Sequence, residues 1–328
     1  MRICIYGAGS IGGFLAARLA AAGADVSVVV RGAHLAAIRA RGLVLRDRTG
    51  ERSFAIPASD DPRDLGPQDL VICAAKAHSL TTIAPAMAPL LGPDTPVVFC
   101  LNGIPWWYFH GHGGPHEGRR LERLDPGGVI WDTLGPARAL GCVVRMGASV
   151  PEPGVIDHAQ GDGFAIGEPD GSLSPRLERI VGALAAAGVS ARATPRIRDE
   201  VWMKLQGNAA SNPVQALTRG NNAQAAEDPE VRRVVLAIMR EVAAVGSAFG
   251  ARFDRTPEER LALAGSLGSF RSSTLQDLEA GRPMEVEPLT GAVRELGELA
   301  GVPTPTFDII YALLRQLAMV HGLYPGPA

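Results

Sequence analysis

Aromatic residues are scarce, cysteines are few, and neither sign of charge dominates. Phe, Trp and Tyr make up 5% of the 328 residues, so any crowding of them in one segment is informative. The 32 basic side chains nearly balance 34 acidic ones, for a net charge of −2. That balance removes the electrostatic case for nucleic acid or an anionic membrane as the main partner. Cys4, Cys73, Cys100 and Cys142 stand far apart, mostly in apolar runs, which argues against a disulfide framework or a CxxC metal site and points to a reducing cytoplasm. No uncharged apolar run reaches the roughly 20 residues that a membrane-spanning helix needs. The opening MRICIYGAGSIGGFLAARLAAAGA imitates a signal peptide, yet Gly7, Gly9, Gly12 and Gly13 interrupt its apolar run and Arg18 lies inside it. Internal repeats and low-complexity segments are missing as well. What remains is a chain with 46% hydrophobic residues, ordinary for a soluble globular protein and long enough for two domains.

RICIY reads as a short strand, GAGSIGGFLAARLAAAGA as a turn and helix, and DVSVVV as a second strand. A G-x-G-x-x-G motif in this context predicts a doubly wound, Rossmann-type sheet that binds a dinucleotide. Gly7 permits the tight turn, Gly9 lets the backbone approach a pyrophosphate, and Gly12 lets helix and strand pack closely. The phosphates face the helix N-terminus, so the cofactor set runs through Gly7, Ala8, Gly9, Ser10, Ile11 and Gly12. At the end of the second strand, where an NAD enzyme usually carries a carboxylate, this chain has Arg31. An arginine can pair with a 2′-phosphate, which favours NADP(H). Arg39 and Arg41 either thicken that positive field or are solvated helix residues. Strands at 70–74 and 97–101 end in Lys76 and in Asn102-Gly103, which places Lys76 and Asn102 at the ligand edge of a parallel sheet.

The segment IPWWYFHGHGGPHEGRRLERLDPGG concentrates the scarce aromatics with three histidines. His110, His112 and His116 lack an acidic or cysteine partner at metal-ligand spacing, so a loop that covers or lines the active site, its aromatics shaping the pocket, is expected. GCVVRMGASVPEPGVIDHAQGDGFAIGEPDG reads as antiparallel β. From about residue 196 the pattern becomes helical, giving an expected division into a Rossmann-type domain, 1–195, and an all-helical domain, 196–328, which carries substrate-binding and catalytic residues. In EVWMKLQGNAASNPVQALTRG, Lys204, Asn208 and Asn212 fall at i, i+4 and i+8 on one helix face. Asn costs helix propensity, so the stripe suggests hydrogen bonding in a cleft at the domain boundary. The alternative is a solvated lysine and a helix that ends before Pro213. Farther on, Ser272, Ser273, Asp277 and Glu285 form a second polar cluster; a capped helix and a turn would also explain it. HGLYPGPA reads as a loose tail.

GAGSIGG, Arg31, KAHSL, LNGI, WMKLQGNAASNP and SSTLQDLEAGRPMEVE together resemble the ketopantoate reductases (2-dehydropantoate 2-reductases) over nearly the whole chain. The resemblance implies that Lys204 is the catalytic lysine and that Glu285 orients it or a substrate hydroxyl. It also implies that Asn208 and Asn212 bind substrate oxygens, that Ser273 binds the carboxylate, and that Asn102 lies near nicotinamide and substrate. Lys76 is similar to the family's cofactor-site lysine, and a homodimer through the helical domain is implied too. Gln215, Glu287 and Thr290 depart from the family's pattern. The expected reaction is NADPH-dependent reduction of a 2-oxo acid, ketopantoate above all, with Lys204 as general acid; a free lysine, of pKa about 10.4, is protonated at neutral pH. A 3-hydroxyacid dehydrogenase and a catalytically silent NADP-binding sensor are the rival readings.

Overall fold

The computed structural model describes residues 1–266 and 268–325. The chain forms two compact units, one of residues 1–101, 107–120 and 128–197 and one of residues 102–106, 121–127 and 198–328. The expected cut at 195/196 is a single one. The contacts add two short excursions, in which the ends of the aromatic segment join the second unit.

The first unit is built on one mixed sheet. Its strands are β1 (Ile3–Tyr6), β2 (Val26–Val29), β3 (Leu43–Asp47), β4 (Gly50–Phe54), β5 (Ala58–Ser59), β6 (Leu70–Cys73), β7 (Val97–Phe99), β8 (Ala139–Ser149), β9 (Val155–Gly167) and β10 (Ser190–Ala193). The order is β4-β3-β9-β8-β7-β6-β1-β2-β5, with β10 also pairing β9. From β5 to β8 every neighbour is parallel; β8 and β9 then pair antiparallel, as the alternation in that stretch predicts. β1, β2, β6 and β7 are apolar and buried along their lengths, the pattern of a parallel sheet covered on both faces. The edge strand β4, GERSF, is mostly exposed and carries charge, which discourages pairing with another chain.

Five helices accompany this sheet: α1 (Ser10–Ala21), α2 (Gly32–Arg41), α3 (Leu80–Ala86), α4 (Val129–Leu134) and α5 (Pro175–Ala186). α1 carries Gly12 and Gly13 where it packs too closely for a Cβ. A Cβ on Gly12 would fall 2.0 Å from the Gly7 carbonyl oxygen, and one on Gly13 would fall 2.5 Å from Ile156 of β9. The core joins Phe14, Leu15 and Leu19 to Ile5, Val28, Ile72, Ile156 and Phe164. All four cysteines are buried, and burial pushes the thiols of Cys4 and Cys73 up to about 12, so neither supplies a thiolate at neutral pH.

The aromatics of the segment face inward rather than toward solvent. Trp106, Trp107, Tyr108 and Phe109 are all buried, and they serve as core. His112 and His116 pack on the Phe109 ring, and His110 meets Trp131 edge-on. Among the described residues no group of three His, Cys, Asp or Glu is arranged to hold a metal.

The second unit is helical among its described residues: α6 (Ile197–Thr218, its first residue belonging to the first unit), α7 (Asn222–Glu227), α8 (Pro229–Ala248), α9 (Pro257–Gly265), α10 (Ser273–Glu279), α11 (Ala292–Ala300) and α12 (Pro305–Val320). A π turn, Glu287–Gly291, leads into α11. α8 buries Val235, Ile238, Met239, Val242 and Val245 on one face, and Gly246 leaves room there for the Trp202 ring of α6. α6 does not stop before Pro213; it runs through to Thr218, so the asparagine stripe lies on one helix. The C-terminal stretch is not loose as far as it is described. Leu323 is buried with Met284 and Val286, while residues 326–328 lie outside the described residues. Among the described residues no helix is long and apolar enough to cross a membrane.

Candidate active site

In the first unit, the turn between β1 and α1 is shaped by its glycines. Gly7 has φ +96° and its missing Cβ would abut the Ala75 backbone, so only glycine fits without strain. At Gly9, by contrast, a Cβ would meet nothing within 4 Å, leaving open space in front of the backbone. No side chain caps α1 and no acidic residue occupies its first turn. Uncommitted N–H groups at the positive end of a helix, facing open space, fit a dinucleotide's pyrophosphate. Ala8, Ser10 and Ile11 complete this turn.

A residue with no signal in the motif braces it from behind. His34 of α2 receives the Gly154 N–H at Nδ1, 2.8 Å, and its Nε2 lies 2.7 Å from the Ala8 carbonyl oxygen. A peptide N–H can only donate and a carbonyl can only accept. Nδ1 therefore accepts and Nε2 donates, and the ring ties the glycine turn to the turn between β8 and β9.

Arg31 stands at the N-cap of α2, exposed, its side chain making no hydrogen bond or ion pair among the described residues. Of the two arginines farther along α2, Arg39 donates to the Ala58 carbonyl and Arg41 to the Pro153 carbonyl. Lys76, half-buried, stands three residues past the end of β6, at the N-cap position of a short 3-10 turn, Ala77–Ser79.

In the second unit, Asn102, Lys204 and Glu285 come together from three separate stretches of chain. The Lys204 Nζ donates to Asn102 Oδ1 at 2.7 Å, and Asn102 Nδ2 donates to Glu285 Oε2 at 3.4 Å. The amide is thereby oriented, with oxygen toward the ammonium and nitrogen toward the carboxylate. Glu285 is 4% exposed, whereas Lys204 and Asn102 are half-buried and open to a ligand. Gly103, φ +84°, lets the chain after Asn102 lie on the π turn: a Cβ there would fall 2.0 Å from the Pro288 carbonyl oxygen, which accepts from Ile104 N–H at 3.0 Å.

One turn along α6 from Lys204, Asn208 is half-buried and its side chain makes no hydrogen bond among the described residues. Asn212 is buried, and its Nδ2 donates to Thr274 Oγ1 at 3.2 Å, which fastens the start of α10 to the stripe. Ser272 is the N-cap of α10, its hydroxyl accepting from Leu275 N–H. Ser273, the next residue, is half-buried and its hydroxyl is uncommitted among the described residues. Gln215, 1% exposed, accepts from Ser272 N–H at 2.8 Å and donates to Asn222 Oδ1 at 2.6 Å. Sequence reasoning marks Gln215 only as a departure; its amide holds the α10 cap in place. Thr274 it does not mark, since a threonine in a helix first turn carries no distinctive signal.

Two family models cover the chain. Residues 3–171 match "Ketopantoate reductase PanE/ApbA" and residues 196–318 match "Ketopantoate reductase PanE/ApbA C terminal". A 2-dehydropantoate 2-reductase of Mesorhizobium japonicum is 48% identical over 99% of this chain and 100% of its own length. Among solved structures, a candidate ketopantoate reductase of Ralstonia solanacearum has a TM-score of 0.94 at 42% identity, covering 98% of this chain and 99% of that one. A 2-dehydropantoate 2-reductase of Geobacter metallireducens has a TM-score of 0.85 at 25% identity, covering 96% and 99%. A ketopantoate reductase is an oxidoreductase of a C=O/CH–OH pair that draws its hydride from a nicotinamide dinucleotide. With glycine turn, lysine relay and both halves of the sequence in agreement, the chain belongs to the ketopantoate reductase family.

Proposed function

We propose that this protein reduces 2-dehydropantoate to pantoate with NADPH, using Lys204 as the general acid. The observation that carries the reading is the Lys204–Asn102–Glu285 relay, with the side chains of Asn208 on the same helix and Ser273 on α10 uncommitted among the described residues. The dinucleotide, when bound, supplies the hydride to the keto carbon. Charge then grows on the keto oxygen, and the Lys204 ammonium stabilises it and delivers the proton, completing the alcohol. Asn102 fixes the direction of the ammonium, and the Glu285 carboxylate behind it fixes the amide. Asn208 offers the substrate neutral hydrogen bonds, Ser273 its hydroxyl to the substrate carboxylate. Asn212, with one amide hydrogen given to Thr274, keeps its oxygen for a substrate hydroxyl.

NADPH is favoured over NADH by Arg31, an exposed cation at the end of β2 with no ion pair among the described residues, where a carboxylate would repel a 2′-phosphate. Lys76, following β6, is the second cation assigned to the cofactor. Four buried thiols suit a reducing cytoplasm. A homodimer is supported by α12, whose Ile309, Leu313 and Val320 form an exposed apolar stripe.

The test is NADPH oxidation with a panel of 2-oxo acids, 2-dehydropantoate included, and NADH in parallel. Fastest turnover of 2-dehydropantoate with NADPH is expected. Preference for another 2-oxo acid would overturn the substrate, and NADPH binding without turnover on any of them would overturn the enzyme reading.

A further inference from the structure

A buried carboxylate two residues beyond Glu285 takes no part in the chemistry above. Glu287 is 7% exposed and opens the π turn. Its Oε1 accepts from the hydroxyls of Tyr311, 2.9 Å, and Tyr324, 2.8 Å, and its Oε2 from the Arg123 guanidinium, 3.2 Å. Arg123 also donates to the Tyr311 hydroxyl at 3.0 Å. These donors come from the aromatic segment, from α12 and from the C-terminal stretch. Gly291 makes the arrangement feasible, since a Cβ there would collide with Glu287 Oε2.

Each of the three segments is held to the helical unit a second time. Leu323 accepts from Met284 N–H at 2.9 Å, and its side chain packs with Met284 and Val286, the two neighbours of Glu285. The N–H groups of Glu122 and Arg123 both donate to the Glu295 carboxylate of α11, at 3.0 and 3.1 Å. Tyr311 itself belongs to the cluster that contains Met284 and Val286. Burial, reinforced by the neighbouring Glu287 charge, pushes the Tyr311 phenol up to about 12, so it stays a donor at neutral pH. An unpaired carboxylate buried this deeply would be strongly destabilising; with three donors converging on it, the charge becomes a fastener.

We propose that Glu287 is a positioning residue, which clamps Arg123, Tyr311 and Tyr324 onto the π turn and thereby fixes the Glu285 carboxylate toward Asn102. The aromatic segment and the C-terminal stretch then share one purpose, to hold the far end of the lysine relay. The proposal rests on reading Lys204, Asn102 and Glu285 as the reactive set. Glu287→Gln keeps the shape and removes the charge, leaving an amide N–H among donors. It is expected to lower kcat by ~10- to 100-fold, the scale of an ångström-size misplacement at a reacting group, with NADPH affinity within about twofold of the parent. Tyr324→Phe should do the same more weakly, and Arg123→Met combined with Glu287→Gln should be no worse than Glu287→Gln alone, since both break one clamp.

Measured well below the melting temperature, a variant that is less stable but has parental kcat would overturn the proposal. A crystal structure of Glu287→Gln gives a readout independent of activity: the Asn102–Glu285 contact is expected to lengthen or break, and an unchanged contact would overturn the clamp. If the unmodified enzyme turned over no 2-oxo acid, the functional reading would fall while that structural comparison still decided the clamp.

Discussion

From Gly7 to Gly12 the groups offered to a ligand are peptide N–H groups, and the side chains contribute mainly by being absent. At Lys204 the reverse holds, for every polar group is a side chain and its partners lie 102 and 183 residues apart in sequence. A site made of consecutive backbone has its geometry written into a few φ angles and close approaches. A site made of distant side chains has no geometry until the fold delivers it. The first should therefore fail through sterics at single glycines, the second through loss of a chemical group while the scaffold survives.

Removing the acid should produce the largest effect. Lys204→Ala is expected to lower kcat by ~10²- to 10⁴-fold, the span for general acid–base groups, while NADPH binding and the melting temperature stay near the parent's. Because Asn102 accepts from Lys204, its oxygen is left to water in the variant, which the half-exposed setting tolerates. Parental turnover in Lys204→Ala would remove the lysine from the mechanism.

Gly12→Ala tests the backbone site. The added Cβ would sit 2.0 Å from the Gly7 carbonyl oxygen and 2.9 Å from Ile5, contacts that only a shift of α1 can relieve. Overpacking of this kind costs about 1–3 kcal/mol, and the shift opens the turn the phosphates need. NADPH dissociation constants ~10- to 100-fold higher are expected by fluorescence titration, with a fall in melting temperature. Tight binding with normal stability would mean that the turn is softer than its contacts imply.

Arg31→Ala separates the cofactor's two forms. A charge-assisted hydrogen bond is worth about 1.5–3 kcal/mol, so the ratio of kcat/KM for NADPH over NADH should fall by ~10- to 100-fold, with the NADH value little changed. An equal loss with both cofactors would assign Arg31 to the helix cap alone.

The same contrast explains what sequence alone could disclose. The turn was legible because each glycine answers a local demand and the demands recur at fixed spacing. The lysine stripe was legible as an anomaly, asparagines on a helix that would do better with glutamate or lysine, and the resemblance gave it roles. Gln215, Thr274 and Glu287 were opaque because their partners, at Ser272, Asn212 and Arg123, are set by packing between segments that no periodicity connects. The burial of the aromatic segment was opaque for a related reason: rarity drew attention to a ligand pocket, whereas two tryptophans, a tyrosine and a phenylalanine in a row are among the largest fully buried side chains.

His34 offers the finest test, because it is a side chain serving the backbone site. Its ring accepts from Gly154 N–H and donates to the Ala8 carbonyl, so His34→Ala leaves two peptide groups without their partner beside the phosphate turn. Where such groups are cut off from water the cost is about 1–3 kcal/mol; half-exposed, as here, water recovers part of it. The turn should loosen rather than collapse, raising the KM for NADPH by roughly fivefold with kcat nearly unchanged. His34→Gln, which keeps one amide donor and one acceptor on a longer arm, should recover part of the loss. A kcat defect with normal NADPH affinity would show that the brace acts on something other than the turn. An unchanged KM in His34→Ala would mean that the glycines hold the turn unaided, and that the division between a backbone-built site and a side-chain-built one is complete.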